Sequence, residues 1–285
     1  MEWLERMCKA LNYLEVHMDC EIDVNEAART ACSSTFHFQR MFHMLTGVTV
    51  IEYVRKRRLT LAAQELAASN ARVLDIALKY GYDTPESFSK AFRKVHGISP
   101  SAAREPGVKL KAFPRISFQI SLKGDKDMNY MIIEKEAFKV VGKSLRVTTR
   151  DGENLKRIPQ FWTECYQDGT CDKLCGIAEK GEMFGICMND YNEEMFTYVV
   201  AVEKTDRTIP GDLEEREIPS ATWAVFESVG PMPQAVQKVW DRIYTEWFPS
   251  TGYEQANAPQ MEVYPFGDTG SDNYRCEVWI PIIKK

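Results

Sequence analysis

Histidine is scarce in this chain: there are four, and all stand before residue 97. The eight cysteines form no C-x-x-C pair, and the one close spacing, Cys171 to Cys175, has no histidine near it. A zinc site therefore has no ligand set to draw on. No nucleotide-binding fingerprint is present either, so no cofactor is expected. No apolar run approaches the roughly 18 residues of a membrane-spanning helix, so no membrane partner is expected. The first residues, MEWLERMCKALNYLE, carry acids and a helical period instead of a signal-peptide pattern. Together with unpaired thiols, that points to the reducing cytoplasm.

What the chain does have is ordinary bulk and an uneven charge. Its 285 residues, 44% hydrophobic and 27% charged, suit two globular domains. The net charge of −5 conceals a split. From Arg29 to Arg104 there are twelve Lys or Arg against five Asp or Glu, whereas acids outnumber bases from Glu105 onward. A basic segment joined to an acidic one fits nucleic-acid binding by the first and a different task for the second.

The basic segment says one thing twice. Shifted by fifty, SSTFHFQRMFHMLTGV at 33–48 lies on DTPESFSKAFRKVHGI, with Phe38 on Phe88, Arg40 on Lys90, Phe42 on Phe92 and Gly47 on Gly97. Upstream, Ala27 falls on Ala77 and Arg29 on Lys79. Each copy reads as a short helix, a turn and a second helix. In the second copy Gly81 can take the positive φ that ends the first helix. Thr84 can cap the next, with Pro85 at its first position. Phe88, Ala91, Phe92 and Val95 form its apolar stripe, and Glu86, Ser87, Ser89, Lys90 and Arg93 its polar face. One such helix could be a solvated bundle face. Two in register, each with a basic residue at the matching place, point to reading of the DNA major groove, where Arg grips guanine and Gln adenine.

At FHFQRMF, the following TG, RKRRLTLAAQEL, and LDIALKYGYDTPESFSKAFRKVHGISP, the chain resembles the AraC/XylS family of transcription regulators over about Met1 to Arg104. The resemblance implies an all-α domain of two helix-turn-helix units joined by a long helix, bound to double-stranded operator DNA, with RNA polymerase as a further partner. By position it places Phe36, Gln39 and Arg40 at bases in the first reading helix, and Glu86, Ser87 and Lys90 in the second. Arg93 lies on the same face. RKRR at 55–58, near the start of the long helix, is either a solvated face or a phosphate-contacting patch, with Arg57 as its candidate contact. The expected domain is 1–107.

From Glu105 to Met128 the texture changes, with Pro106, Gly107, Pro114 and Gly124 around a strand-like ISFQISL. A linker over 108–127 is expected, partly a strand because Ile116, Phe118, Ile120 and Leu122 alternate. Beyond it, over 128–285, helices and strands recur in two rounds. YMIIEKEAFKVVGKSL, LCGIA, MFGICM, FTYVVAV, SATWAVFESVG, PQMEVYPF and YRCEVWIPII read as strands. LKRIPQFWTECYQ and PQAVQKVWDRIYTEWF read as two long helices. The pattern predicts a duplicated α+β domain with antiparallel strands.

This half resembles the GyrI-like effector-binding family, also found in BmrR-type regulators, at FKVVGKSL, FTYVVAV, ATWAVFESVGP and CEVWIPI. The resemblance implies two pseudo-symmetric halves around a small-molecule cleft, with the family's cleft glutamate at Glu277. Period two puts Glu277 and Trp279 on one face of their strand. Trp162, Phe184, Tyr198, Trp223, Phe226 and Tyr264 are candidate aromatic walls for a flat or cationic ligand. A buried salt bridge or a wet outer face would explain the same acid. The expected function is a DNA-binding regulator, not an enzyme, that senses a small hydrophobic or cationic molecule. The alternative is a GyrI-like hydrolase of reactive aromatic compounds fused to a DNA-binding domain.

Overall fold

Two helix pairs fifty residues apart open the molecule, and the same capping chemistry starts and stops each. The computed structural model describes residues 2–118, 127–149, 152–190, 195–207, 209 and 211–284. It divides into two compact units, Met1–Ser121 and Leu122–Lys285.

The first unit contains α1 (Glu2–Val16), α2 (Val24–Thr30), α3 (Thr35–Thr46), α4 (Val50–Ala68), α5 (Val73–Lys79), α6 (Pro85–His96) and a 3-10 turn at Ser101–Arg104. Ser34 caps α3 and Thr84 caps α6, each side chain accepting from the backbone N–H three residues on. Gly47 (φ 71°) and Gly97 (φ 79°) end the same two helices in the left-handed region. Thr49 caps α4 through the Glu52 N–H, while the Glu52 carboxylate pairs with Lys56 instead of returning to Thr49. The repeat also reaches further back than the sequence comparison did. Met7, Ala10, Leu11 and Leu14 of α1 are buried at the spacing of Leu59, Ala62, Ala63 and Leu66 of α4. Each unit of the repeat is therefore three helices, α1–α2–α3 and α4–α5–α6.

The expected linker is corrected in two ways. Residues 108–118 form no strand, and Ile120 and Leu122 lie outside the described residues. Residues 110–116 instead lie on the helices and extend the first unit beyond residue 107. Phe113 donates its N–H to Thr60 Oγ1 (2.9 Å) and its carbonyl accepts from Arg57 Nη1 (2.8 Å). Lys111 N–H reaches His96 Nδ1 at 3.3 Å, and Leu110 packs on the α4–α6 core. These bonds satisfy the backbone groups that a strand would have paired elsewhere.

The second unit contains β1 (Tyr130–Lys135), β2 (Phe138–Thr148), α7 (Glu153–Gln167), α8 (Thr170–Ile177), β3 (Glu182–Cys187), β4 (Met195–Glu203), β5 (Glu214–Ile218), β6 (Ala221–Val229), α9 (Gln234–Arg242) running through a π turn into α10 (Phe248–Ser250), β7 (Tyr253–Gln255), β8 (Gln260–Pro265) and β9 (Arg275–Lys284). LCGI of LCGIA, expected as a strand, is the end of α8, and Ala178 caps it. A five-residue apolar run does not declare its own period, and here it packs as a helix on β2, β3 and β4.

All strand pairs are antiparallel, in the order β1-β6-β9-β8-β3-β4-β2-β5, with β7 also on β9. The order is symmetric about the β8–β3 pair, which is the two-round pattern of the sequence closed into one sheet. The sheet cannot be flat. β1 and β2 stand six strand positions apart, about 29 Å in a flat sheet, yet three residue steps from Lys135 to Phe138 span about 10 Å. β5 and β6 are joined just as briefly. The sheet therefore curls, and its inner face closes on Phe184, Ile186, Val199, Ala201, Trp223, Val225, Met261 and Val263, all buried. Helices α7, α8 and α9 cover the outer face.

Candidate DNA-reading and effector sites

The two reading helices are not equally open. On α6, Glu86, Ser87, Lys90 and Arg93 are all exposed. The Ser87 hydroxyl donates to the Thr84 carbonyl at 2.8 Å, so it closes the helix start as well as facing outward. On α3, Phe36 is 3% and Gln39 9% exposed, and Arg40 is half-buried. Phe36, Gln39 and Arg40, expected at bases, share this helix with Phe38 and Phe42, whose rings pack together in the core. Burial, and then the charge of Arg40, push the His37 imidazole down to about 3, so that part of α3 carries no histidine charge at neutral pH.

The basic run 55–58 is largely structural, which corrects the reading of Arg57 as a phosphate contact. Arg57 holds both oxygens of Glu15 through Nε (2.9 Å) and Nη2 (2.8 Å), and its third nitrogen binds Phe113 O. Tyr53 donates its hydroxyl to the same carboxylate. Burial would raise the Glu15 carboxyl, but the Arg57 and Tyr53 donors outweigh it and hold it below the usual range. Arg58 binds the carbonyls of Met18 (2.9 Å) and Cys20, and Lys56 pairs with Glu52. Arg55 is the exposed member of the four.

In the second unit the expected effector residues split between the two faces of the sheet. Tyr198, Tyr264 and Trp162 meet on the outer face. Trp162 Nε1 on α7 donates to the Tyr198 hydroxyl on β4 (2.9 Å), and the Trp162 ring stands edge-on to Tyr264 on β8 at 5.5 Å. Beside them is a carboxylate that the sequence reading passed over. Glu262 accepts from Trp240 Nε1 on α9 (2.6 Å) and from the Tyr264 hydroxyl (2.7 Å). Among the described residues no Lys or Arg pairs with Glu262. Burial first, and then the Glu262 charge, push the Tyr264 phenol far above its usual range, so it remains a donor.

Glu277, Trp279, Trp223 and Phe184 lie on the inner face instead. Glu277 and Trp279 do share a face, and Trp279 Nε1 donates to Glu277 at 2.7 Å. Period two could not say which face the helices would cover. This inner group already holds a cation: Lys135 Nζ lies 3.7 Å from the Phe138 ring centroid, 5.6 Å from that of Trp279 and 3.6 Å from Glu203. Burial, with Glu277 contributing, pushes the Glu182 carboxyl up at the same rim. Phe226 faces outward but is fully buried against Tyr130 and Trp247. The missed residues were legible in principle. PQMEVYPF places Glu262 and Tyr264 on one face by the same alternation that drew attention to Glu277. Among the described residues no group of three His, Cys, Asp or Glu side chains is placed to hold a metal.

Comparison with known proteins bears on both units. A helix-turn-helix family profile matches residues 27–106, and the profile of Cass2, an integron-associated effector binding protein, matches residues 131–282. The transcriptional activator AarP of Providencia stuartii is 38% identical over 94 residues, which are 33% of this chain and 70% of AarP. The regulatory protein SoxS of Salmonella typhimurium is 35% identical over 94 residues, which are 33% of this chain and 88% of SoxS. The structure of SAV2435 bound to tetraphenylphosphonium is similar in fold, at 24% identity and a TM-score of 0.50, over 55% of this chain and 94% of that one. Helix pair, caps, curled sheet and these relatives lead to one assignment: the chain belongs to the AraC-type helix-turn-helix transcription regulators and carries, behind that domain, an effector-binding domain of the Cass2, GyrI-like family.

Proposed function

We propose that this regulator reads operator DNA through α6 and α3 and responds to a hydrophobic organic cation bound at Glu262. One observation carries the ligand reading. The Glu262 carboxylate is partly buried, held by two neutral donors, and surrounded by Trp162, Tyr198, Trp240 and Tyr264. A carboxylate that lacks a counter-charge in such surroundings is poorly solvated, and an entering cation supplies what water supplies badly. The inner face has comparable parts but already holds Lys135, over the Phe138 ring and beside Glu203. Occupation of the cleft would alter operator binding only to the extent that the ligand favours one state of the regulator. RNA polymerase is the partner through which operator binding would then act.

Calorimetry with tetraphenylphosphonium and the neutral triphenylphosphine oxide tests the reading. Glu262→Gln keeps the shape and removes the charge. It should weaken the cation by more than about 1.5 kcal/mol and leave the neutral compound nearly unaffected. Equal losses for both would remove charge selection from the argument. The cation should be recovered unchanged after long incubation, whereas its turnover would favour the hydrolase reading.

A further inference from the structure

We infer that Gly185 sets the width of the Glu262 cleft, because the empty space above it is where the Tyr198 phenol lies. This rests on the proposal that Glu262 marks the ligand site. Gly185 is on β3, directly opposite Glu262 of β8 and Val200 of β4, and on the same outer face. Its strand conformation does not need glycine: among the residues of positive φ it does not appear. What needs glycine is the space. A Cβ at 185 would stand 2.3 Å from the Tyr198 hydroxyl oxygen and 3.3 Å from Trp162 Cζ2.

Tyr198 is in register with Cys187, so to lie over Gly185 its ring leans across β3 toward β8. There its hydroxyl accepts the Trp162 indole hydrogen and holds Trp162 edge-on to Tyr264, which donates to Glu262. The cleft wall is thus a connected series that begins on a missing side chain. With a methyl at 185 the phenol must rise by about 1 Å to reach ordinary van der Waals separation. Trp162 follows it through the shared hydrogen bond. Both then move off the floor and into the volume beside Glu262. The space lost is needed by a bulky aromatic cation and not by a compact one. Gly185 is therefore a positioning residue for ligand size, acting through Tyr198 and Trp162, and the carboxylate itself is left in place.

The test compares tetraphenylphosphonium with tetraethylammonium by calorimetry on four proteins: the parent chain, Gly185→Ala, Tyr198→Phe, and the double variant. Gly185→Ala should lose at least about tenfold in affinity for the bulky cation, as expected for a methyl group's misfit in a pocket, with a smaller loss for the compact one. The double variant removes the oxygen that the new Cβ meets and leaves two carbons at 3.3 Å, the ring Cζ at 198 and Trp162 Cζ2, so it should bind the bulky cation nearly as Tyr198→Phe does. An equal loss for both cations, or no rescue in the double variant, overturns the inference. Should Gly185→Ala alone be insoluble, the double variant against Tyr198→Phe still decides, because a further tenfold loss there would show that the methyl acts without the phenol. Glu262→Gln measured alongside separates the two levels. A loss there with none in Gly185→Ala overturns the Gly185 inference alone, and no loss in either overturns both.

Discussion

Lys135 Nζ lies 3.7 Å from the centroid of the Phe138 ring, three residues along the chain and six strand positions across the sheet. That contact closes the inner face and gives it a resident cation. It also explains why two similar groupings of carboxylate and aromatic rings have different chemistry. Glu277 has Lys135 close by, 5.6 Å from the ring of its partner Trp279, whereas the lysine in the cross-strand row of Glu262, Lys143, is turned to Asp168.

The first prediction follows from that difference. Glu277→Gln should leave the binding of tetraphenylphosphonium unchanged, although its motif drew attention before Glu262 did. It should instead change the surroundings of Trp279, whose indole loses its charged acceptor. Tryptophan fluorescence and calorimetry on the same variant read both effects. A strong loss of cation binding in Glu277→Gln would move the ligand site to the inner face.

Arg57→Ala should act on stability and not on DNA affinity. Arg57 and Glu15 are 12% and 10% exposed at their side chains, and removing Arg57 leaves the buried carboxylate with the neutral Tyr53 donor in place of its counter-charge. Breaking such a pair costs about 3 kcal/mol or more. The connector loses its bond at Phe113 O as well. Urea unfolding followed by tryptophan fluorescence measures the loss. If the folded variant showed the parent's stability and a shallower salt dependence of DNA binding, Arg57 would be a phosphate contact after all.

On α6, Lys90→Ala should relax operator preference, at a cost of about 1–3 kcal/mol if the ammonium meets a base edge. The same loss on every sequence, with a reduced salt slope, would mean that Lys90 touches phosphate. Gel-shift titrations on operator and scrambled duplexes at two salt concentrations distinguish the outcomes.

A pH effect should come from His96. Its Nδ1 accepts the Lys111 N–H, so the proton of the neutral ring is on Nε2, 3.1 Å from Leu59 O. Burial, chiefly, holds the imidazole below its ordinary value. A depressed folded value means that the unfolded chain takes the proton first. This contribution to stability is present above about pH 6.5 and is lost as pH falls through the lower folded value. Thermal melts between neutral and mildly acid pH should show the loss, and His96→Gln should flatten it. A His96→Gln profile that follows the parent would assign the acid sensitivity elsewhere.

How much of this was legible in the sequence depended on distance along the chain. The paired helices were legible because caps and stops act locally: Ser34, Thr84, Gly47 and Gly97 each do their work within one turn. Strands were legible where side chains alternate, but β5 was missed, because EEREI at 214–218 is a charged edge with little apolar signal. The side of the sheet that receives helices was not legible. That choice puts Glu262 under the helices and Glu277 on the opposite face. Arg57 was misread for a similar reason, since its partner stands 42 residues away on α1.

Arg58 carries a consequence for the operator itself. From α4 its guanidinium binds the carbonyls of Met18 and Cys20 ahead of α2, and it passes so close to Gly81 beyond α5 that a Cβ there would stand 2.5 Å from Nη1. One side chain thus ties both copies of the repeat to a single uninterrupted helix of 19 residues, about 28 Å long. We expect two reading helices set on one helix in this way to keep their separation and angle on DNA. B-DNA advances about 34 Å and makes one full rotation in roughly 10 base pairs. A single base pair inserted between the two half-sites would turn one groove away by about 35° while the protein keeps its own pitch. Operators for this regulator should therefore tolerate changes of letter far better than changes of spacing.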